Sequence, residues 1–122
     1  MANIILAEDD ASMRTFVAGA LEKAGHKVTS CADGTSALAA LENPENSFDL
    51  LLTDIVMPGL DGIELSGHAA TLQPGIKVMF ITGFAAMATG GTDLRNPQMR
   101  IVSKPFHLGQ LIGEVNKILD EV

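Results

Sequence analysis

The stretch FDLLLTD, residues 48–54, is largely apolar and ends in an acid. Such a run is typical of a strand in a parallel sheet that helices cover on both faces. It predicts a central strand at Phe48–Thr53. Four further short runs of apolar or β-branched residues predict strands at Asn3–Ala7, Lys27–Ser30, Lys77–Thr82 and Arg100–Ser103.

Longer segments with the period of a helix alternate with these strands, and Gly, Pro, Asn and Asp separate the two kinds of segment. The predicted helices are Ser12–Ala24, Gly34–Glu42, Gly62–Leu72, a weak one near Ala85–Thr89, and His107–Asp120. The apolar stripe of the first helix consists of Met13, Phe16, Val17, Ala20, Leu21 and Ala24. Gly25 is placed to cap the end of this helix. The alternation predicts an α/β domain built from five βα units.

Length and charge limit the classes of protein to which the chain can belong. Its 122 residues fit one domain, so we expect residues 1–122 to form a single domain with no output domain. Fifteen acidic and eight basic residues give a net charge of −7, which disfavours contact with nucleic acid. The only cysteine, Cys31, cannot form an internal disulfide, and no targeting or membrane-spanning segment is evident. A cytoplasmic protein without membrane contact is predicted.

Acidic residues follow two of the predicted central strands. Glu8, Asp9 and Asp10 come after the first strand, and Asp54 comes after the third. Asp10 has a simpler interpretation as a helix cap, but the carboxyl ends of neighbouring parallel strands meet in one crevice. Carboxylates about 4 Å apart repel by about 4 kcal/mol per pair near a protein surface, so a positive group must offset them. Mg²⁺ bound by Asp9 and Asp54 meets this need.

Two further polar residues end the fourth and fifth strands at the same edge. Thr82 is followed by Gly83, which lets a ligand approach, and Lys104 follows Ser103. A hydroxyl and an ammonium group suit the oxygens of a phosphoryl group. Because a carboxylate can act as a nucleophile and form an acyl phosphate, Asp54 is the best nucleophile candidate.

These residues stand in runs that resemble the receiver domain of bacterial two-component response regulators over essentially the whole chain. The runs are residues 4–10 (IILAEDD), 51–62 (LLTDIVMPGLDG), 80–83 (FITG) and 103–106 (SKPF). The resemblance implies a (βα)₅ flavodoxin-like three-layer sandwich with strand order 2-1-3-4-5. It also implies that Asp54 accepts a phosphoryl group from a phosphohistidine on a histidine kinase or histidine phosphotransfer protein. The implied Mg²⁺ ligands are Asp9, Asp54 and the Val56 carbonyl, with Glu8 acting through water.

The switch positions of the family show one departure. Many receivers have Tyr or Phe on the fifth strand, three residues before the lysine, whereas this chain has Ile101. The predicted switch and output positions are Thr82, Phe84, Ile101 and Pro105. The runs 80–86 and 103–108 look like the stand-alone CpdR type of alphaproteobacteria. That resemblance implies the ClpXP protease as an output partner, and we expect a monomer or a weak dimer.

Three other functions are compatible with parts of this pattern. A phosphorelay intermediate or phosphate sink would use the same site without an output of its own. A Mg²⁺-dependent phosphohydrolase is disfavoured because Ile55, Val56 and Met57, which follow Asp54, provide no second general acid. A nucleotide- or flavin-binding module is disfavoured because no glycine-rich turn follows the first strand.

Overall fold

A computed structural model describes residues 2–82, 99–103 and 108–120, with backbone alone for residue 82 and residues 99–103. Its strands are β1 (Asn3–Ala7), β2 (Lys27–Cys31), β3 (Leu50–Asp54), β4 (Lys77–Thr82) and β5 (Met99–Ser103). Its helices are α1 (Ala11–Lys23), α2 (Gly34–Glu42), α3 (Gly62–Leu72) and α4 (Leu108–Asp120). The weak helix predicted near Ala85–Thr89 lies outside the described residues. None of the helices in the described ranges is long and apolar enough to span a membrane.

The five strands form one parallel sheet in the order β2-β1-β3-β4-β5. The predicted strand order is therefore confirmed. At the carboxyl edge, Ala7 of β1 pairs with Thr53 of β3, and Asp54 pairs with Ile81 of β4. This register places the ends of β1, β3 and β4 side by side.

Two separate apolar clusters lie on the two faces of the sheet. Ile5 and Leu51 point into the cluster under α2 and α3, whereas Ile4 and Leu52 point into the cluster under α1 and α4. All four side chains have no exposed surface. Because each central strand contributes to both clusters, its sequence is apolar at consecutive positions rather than at alternate ones, as in the stretch that predicted it.

Three of the helices are capped at their first turn by a hydrogen bond to an aspartate side chain. The carboxylates of Asp10, Asp33 and Asp61 accept from the backbone N–H groups three residues later, and Glu64 completes a capping box with Asp61. Gly25, with φ of 100°, follows the end of α1. The predicted capping roles of Asp10 and Gly25 are confirmed.

Two residues of the predicted apolar stripe, Phe16 and Ala24, lie at the surface. Phe16 was assigned to the apolar stripe of α1, but its side chain is 59% exposed. The buried residues of this helix are Val17 and Leu21, which are one turn apart. Phe16 is rotated about 100° from Val17 around the helix axis, beyond the narrow stripe that reaches the sheet.

Candidate functional site

The carboxyl ends of β1 and β3 bring three acids together. Glu8 and Asp9 directly follow β1, and Asp54 is the last residue of β3 rather than the residue after it. One carboxylate oxygen from each of the three lies within 4.8 Å of the others. Glu8 and Asp54 are buried, with 1% and 8% of their surface exposed, while Asp9 is exposed. The cluster therefore opens to solvent on the side of Asp9.

The chemistry of these donors fits a hard divalent cation. Each pair of carboxylates at this separation repels by about 4 kcal/mol near a protein surface. Two of the three are buried, and burial makes an ionised carboxylate costly unless opposite charge and hydrogen bonds compensate it. Mg²⁺ prefers oxygen ligands, and it keeps several waters while one or two carboxylates bind it. Glu8, Asp9 and Asp54 supply such oxygens, and the cluster is open to solvent at Asp9.

Backbone contacts hold Glu8 in place. Its N–H donates to the carbonyl of Cys31 at 3.1 Å, which extends the pairing of β1 with β2. Its carbonyl accepts from Nη1 of Arg14 at 2.8 Å. Its Oε2 accepts from the N–H of Asp10 at 3.2 Å. Arg14 was not among the predicted site residues, because no local pattern marks an arginine whose partner is a backbone carbonyl.

A glycine sets the position of the Asp54 backbone. A Cβ atom at Gly62 would lie 2.0 Å from the carbonyl oxygen of Asp54, so only glycine lets the start of α3 come this close. The Gly62 N–H donates to the carbonyl of Ile55 at 2.8 Å. The hydroxyl of Thr53 donates to the Asp54 carbonyl, also at 2.8 Å. Gly62 stood in one of the quoted runs, but its packing role was not predicted.

The loop between β3 and α3 is held by a second close contact. A Cβ atom at Gly34, the first residue of α2, would lie 2.2 Å from the carbonyl oxygen of Leu60. Gly59 supplies a positive φ of 73° in this loop. Val56, whose carbonyl is a predicted ligand, lies in the same loop with its side chain 52% exposed. The loop is therefore held by close contacts with the first residues of two helices, Gly34 of α2 and Gly62 of α3.

The other predicted site residues fall on or beyond the ends of β4 and β5. Thr82 is the last residue of β4, one residue past Ile81, the partner of Asp54. The backbone of Ile101 pairs with Phe80, and Thr82 pairs with Ser103. Both strand ends thus share the edge that carries the acids. The remaining predicted residues, Phe84, Lys104 and Pro105, lie outside the described residues.

Cys31 lies beside this edge but has no reactive character. Burial raises the pKa of the Cys31 thiol, and the nearby Asp33 carboxylate raises it further, while the Arg14 guanidinium opposes both. The thiol therefore stays protonated at neutral pH.

A cleft of about 770 Å³ opens at the opposite, amino edge of the sheet and contains none of the three acids. Two of its polar side chains, His26 and Lys77, already have partners within the fold. Nδ1 of His26 accepts from the Ala2 N–H, so Nε2 donates to Oδ1 of Asn116 at 2.9 Å. Nζ of Lys77 donates to the carbonyl of Ile118 at 2.5 Å. Because ligands of open parallel sheets bind at the carboxyl edge, the acidic cluster is the better candidate site.

Comparisons with known proteins agree with this geometry. Residues 4–116 match the family model of the response regulator receiver domain. The chain is 50% identical over 119 residues to the response regulator receiver protein CpdR of Brucella abortus (strain 2308), and the match covers 98% of each chain. It is 31% identical over 120 residues to the sensor kinase CckA of the same strain, a match that covers 98% of this chain and 13% of the kinase. The crystal structure of a response regulator receiver protein from Sinorhizobium medicae WSM419 has a TM-score of 0.88 and 27% identity, covering 98% of this chain and 94% of that one.

Proposed function

Because the chain belongs to the response regulator receiver domain family, we propose that Asp54 is its phosphoacceptor and that phosphorylation switches its contacts with other proteins. The donor is a phosphohistidine on a histidine kinase or a histidine phosphotransfer protein. The observation that carries this proposal is the convergence of Asp54 with Glu8 and Asp9 at the carboxyl edge. Residues 1–122 act in this proposal as one receiver domain.

The transfer is a displacement at phosphorus. A carboxylate oxygen of Asp54 attacks the phosphorus atom, an O–P bond forms, and the P–N bond to the donor imidazole breaks with its electron pair passing to nitrogen. Glu8, Asp9, Asp54 and the Val56 carbonyl are the proposed Mg²⁺ ligands, Glu8 through water. When bound, Mg²⁺ supplies positive charge that offsets the charge of the phosphoryl oxygens.

Two residues outside the acidic cluster complete the proposed site. The Thr82 hydroxyl donates a hydrogen bond to a phosphoryl oxygen, and the Lys104 ammonium neutralises its charge. The pairing of β4 beside β3 supports the first role, because it puts Thr82 one residue beyond the partner of Asp54. The place of Lys104, directly after β5 in the sequence, supports the second. The protein catalyses only its own phosphorylation and dephosphorylation.

The proposed output is a change of protein contacts. A phosphoryl group brings negative charge and strong acceptor oxygens, enough to bias a segment with two arrangements. Thr82, Phe84, Ile101 and Pro105 form the proposed switch and output region, and the CpdR-type resemblance makes the ClpXP protease the proposed partner. The exchange takes place in the cytoplasm, where a free thiol such as that of Cys31 remains reduced.

Replacement of Asp54 tests the acceptor directly. We expect wild-type protein incubated with acetyl phosphate and Mg²⁺ to gain the mass of one phosphoryl group, and Asp54→Asn to gain none, because an amide is not a nucleophile of comparable strength. Intact-mass spectrometry measures both. The matched control is Asp49→Asn, which removes an exposed acid at the amino edge and should label like wild type. Labelling of Asp54→Asn would place the nucleophile elsewhere.

The switch is tested by spectra of the labelled state. We expect an acyl-phosphate mimic to shift backbone amide resonances after Thr82 and around Ile101, while those of β2, at the far edge of the sheet, stay in place. A phosphorylation-dependent pull-down, with the ClpXP protease as bait, then tests the output. Superimposable spectra around Ile101 would contradict the switch and favour a phosphate sink. Sustained turnover of small phosphoesters would favour a phosphohydrolase.

A further inference from the structure

Arg14 makes a contact with the acidic loop that the proposed chemistry has not used. It lies in the first turn of α1 and is half-buried, and its Nη1 donates to the carbonyl of Glu8 at 2.8 Å. On the other side of Glu8, the backbone N–H donates to the Cys31 carbonyl at 3.1 Å. Both backbone polar groups of Glu8 are therefore fixed, one by β2 and one by the guanidinium group.

The same contact completes a series of hydrogen bonds that links Glu8 and Asp10 to the start of α1. Oε2 of Glu8 accepts from the Asp10 N–H at 3.2 Å, and Oδ1 of Asp10 accepts from the Met13 N–H at 3.0 Å. Met13 is the chain neighbour of Arg14, which returns to Glu8. Asp9 lies between Glu8 and Asp10 in the chain. A backbone rotation that turned the Glu8–Asp9 peptide away from its present direction would break the bond between the Glu8 carbonyl and Arg14.

Arg14 has two effects on a bound cation, and they oppose each other. Its positive charge near the cluster repels a second cation and weakens binding. Its hydrogen bond orders the loop that carries Glu8 and Asp9, and ordering the groups that support metal ligands strengthens binding. An arginine present only for charge balance would therefore weaken the binding of Mg²⁺, and removing it would tighten that binding.

We propose that Arg14 is a positioning residue for the acidic site. By holding the Glu8 carbonyl it keeps the carboxylates of Glu8 and Asp9 turned toward Asp54 before a cation or a phosphoryl donor arrives. The planar guanidinium suits this task because it donates in a fixed direction from a half-buried position. This inference rests on the proposed function, since it assigns a role in preparing the same site.

The metal-free protein gives the first test, by NMR of the wild type, Arg14→Gln and Lys23→Gln. Lys23 is exposed at the other end of the same helix, so its variant changes the net charge by the same amount. We expect the Glu8 carbonyl carbon and the Asp10 amide proton to move upfield in Arg14→Gln, because both lose a hydrogen bond or its alignment. They should stay in place in Lys23→Gln. Unchanged resonances in Arg14→Gln would overturn the proposal.

Calorimetric titration with Mg²⁺ gives the second test. We expect Arg14→Gln to bind Mg²⁺ roughly tenfold more weakly, as for other residues that orient metal ligands. Arg14→Lys, which keeps the charge and one donor, should fall between Arg14→Gln and wild type, and it remains informative if the glutamine variant does not fold. Binding by Arg14→Gln that equals or exceeds that of wild type would overturn the proposal.

The two proposals fail in different ways. Wild-type protein that is not labelled by acetyl phosphate in the presence of Mg²⁺ would contradict the proposed function. Wild-type protein that is labelled, together with an Arg14→Gln variant of unchanged Mg²⁺ affinity, would contradict the role of Arg14 alone.

Discussion

At the scale of single residues, Gly62 links the packing of the fold to the position of the proposed phosphoacceptor. The start of α3 rests on the carbonyl of Asp54 with no space for a side chain between them. Two hydrogen bonds also hold this backbone: the Thr53 hydroxyl donates to the Asp54 carbonyl, and the Gly62 N–H donates to the Ile55 carbonyl. Displacement of α3 would move the Asp54 carboxylate relative to Glu8 and Asp9.

Gly62→Ala is therefore expected to harm both stability and labelling. The added methyl group would meet the Asp54 carbonyl oxygen at 2.0 Å, so backbone must shift. Overpacking of this kind costs roughly 1–3 kcal/mol, and we expect slower labelling by acetyl phosphate as well. Urea unfolding followed by far-ultraviolet circular dichroism gives the free energy of unfolding, and mass spectrometry gives the labelling rate.

A second glycine on α3 provides the control. Gly67 is exposed, and no atom lies within 4 Å of the position its Cβ would take. Gly67→Ala should increase the free energy of unfolding by about 0.5–1 kcal/mol, because alanine loses less entropy in a helix. Its labelling rate should match that of wild type. If the two substitutions changed the free energy of unfolding and the labelling rate equally, the close contact between Gly62 and Asp54 would have no special role in either.

Residues of the candidate site differ in how far sequence could predict them. Glu8, Asp9 and Asp54 could be found because strand ends are local features and parallel strands share an edge. Arg14 and Gly62 could not, because each contacts a backbone carbonyl across a loop, and no residue pattern marks such a contact. Phe16 was misplaced because periodicity gives the centre of an apolar stripe more reliably than its width.

At the scale of elements, sequence predicted the observed bounds of two strands, β1 and β4, and of two helices. α2 and α3 have the predicted bounds, and each begins directly after an aspartate cap. β3 was predicted from Phe48 to Thr53 but spans Leu50–Asp54. The Phe48 N–H donates to Oε1 of Gln73 at 2.7 Å, a contact from 25 residues away that no local pattern shows.

The cap of α2 predicts a pH dependence of stability. The Ser36 backbone N–H, which donates to the Asp33 carboxylate at 2.7 Å, lowers the pKa of Asp33 below its ordinary value of 3.8, and the Ser36 side chain adds to this effect. Since the pKa is lower in the folded state, the stabilisation is complete above pH 3.8. It is lost as pH falls through the folded-state pKa.

The variant Asp33→Ala should therefore have a lower Tm than wild type at neutral pH, and this difference should shrink as pH falls below 3.8. Thermal unfolding by circular dichroism at a series of pH values measures it. Glu45→Ala removes an exposed acid from the turn after α2 and is the control for charge alone. A Tm difference for Asp33→Ala that stays constant down to about pH 2 would contradict the pKa shift.

At the scale of the whole molecule, one sheet lies between the two apolar clusters and contributes side chains to both. Sequence could predict five parallel strands with helices on both faces, because the central runs are apolar almost throughout. The strand order followed only from the resemblance to receivers, since no residue pattern states which strands are neighbours. The order confirmed here places β1 beside β3, and this pairing creates the acidic site from residues about 45 positions apart.

Neighbouring residues of β1 offer a test of this two-core arrangement. Ile4 and Ile5 are adjacent in sequence and fully buried, yet they belong to clusters on opposite faces of the sheet. Ile4→Val and Ile5→Val should each lower the free energy of unfolding by about 0.5–1.5 kcal/mol through the loss of one buried methylene group. Because the two clusters have no residue in common, the double variant should show the sum of the two costs within about 0.5 kcal/mol.

Urea unfolding of the four proteins in this cycle measures the coupling energy. We expect one cooperative transition in each protein, because loss of either core exposes the sheet that supports the other. The slope of the free energy of unfolding against urea concentration should not change. A coupling energy above about 1 kcal/mol would mean that the sheet transmits strain between its faces. Two separate transitions would mean that the helices on one face can unfold alone. The first result would contradict independent packing on the two faces, and the second would contradict a single cooperative unit.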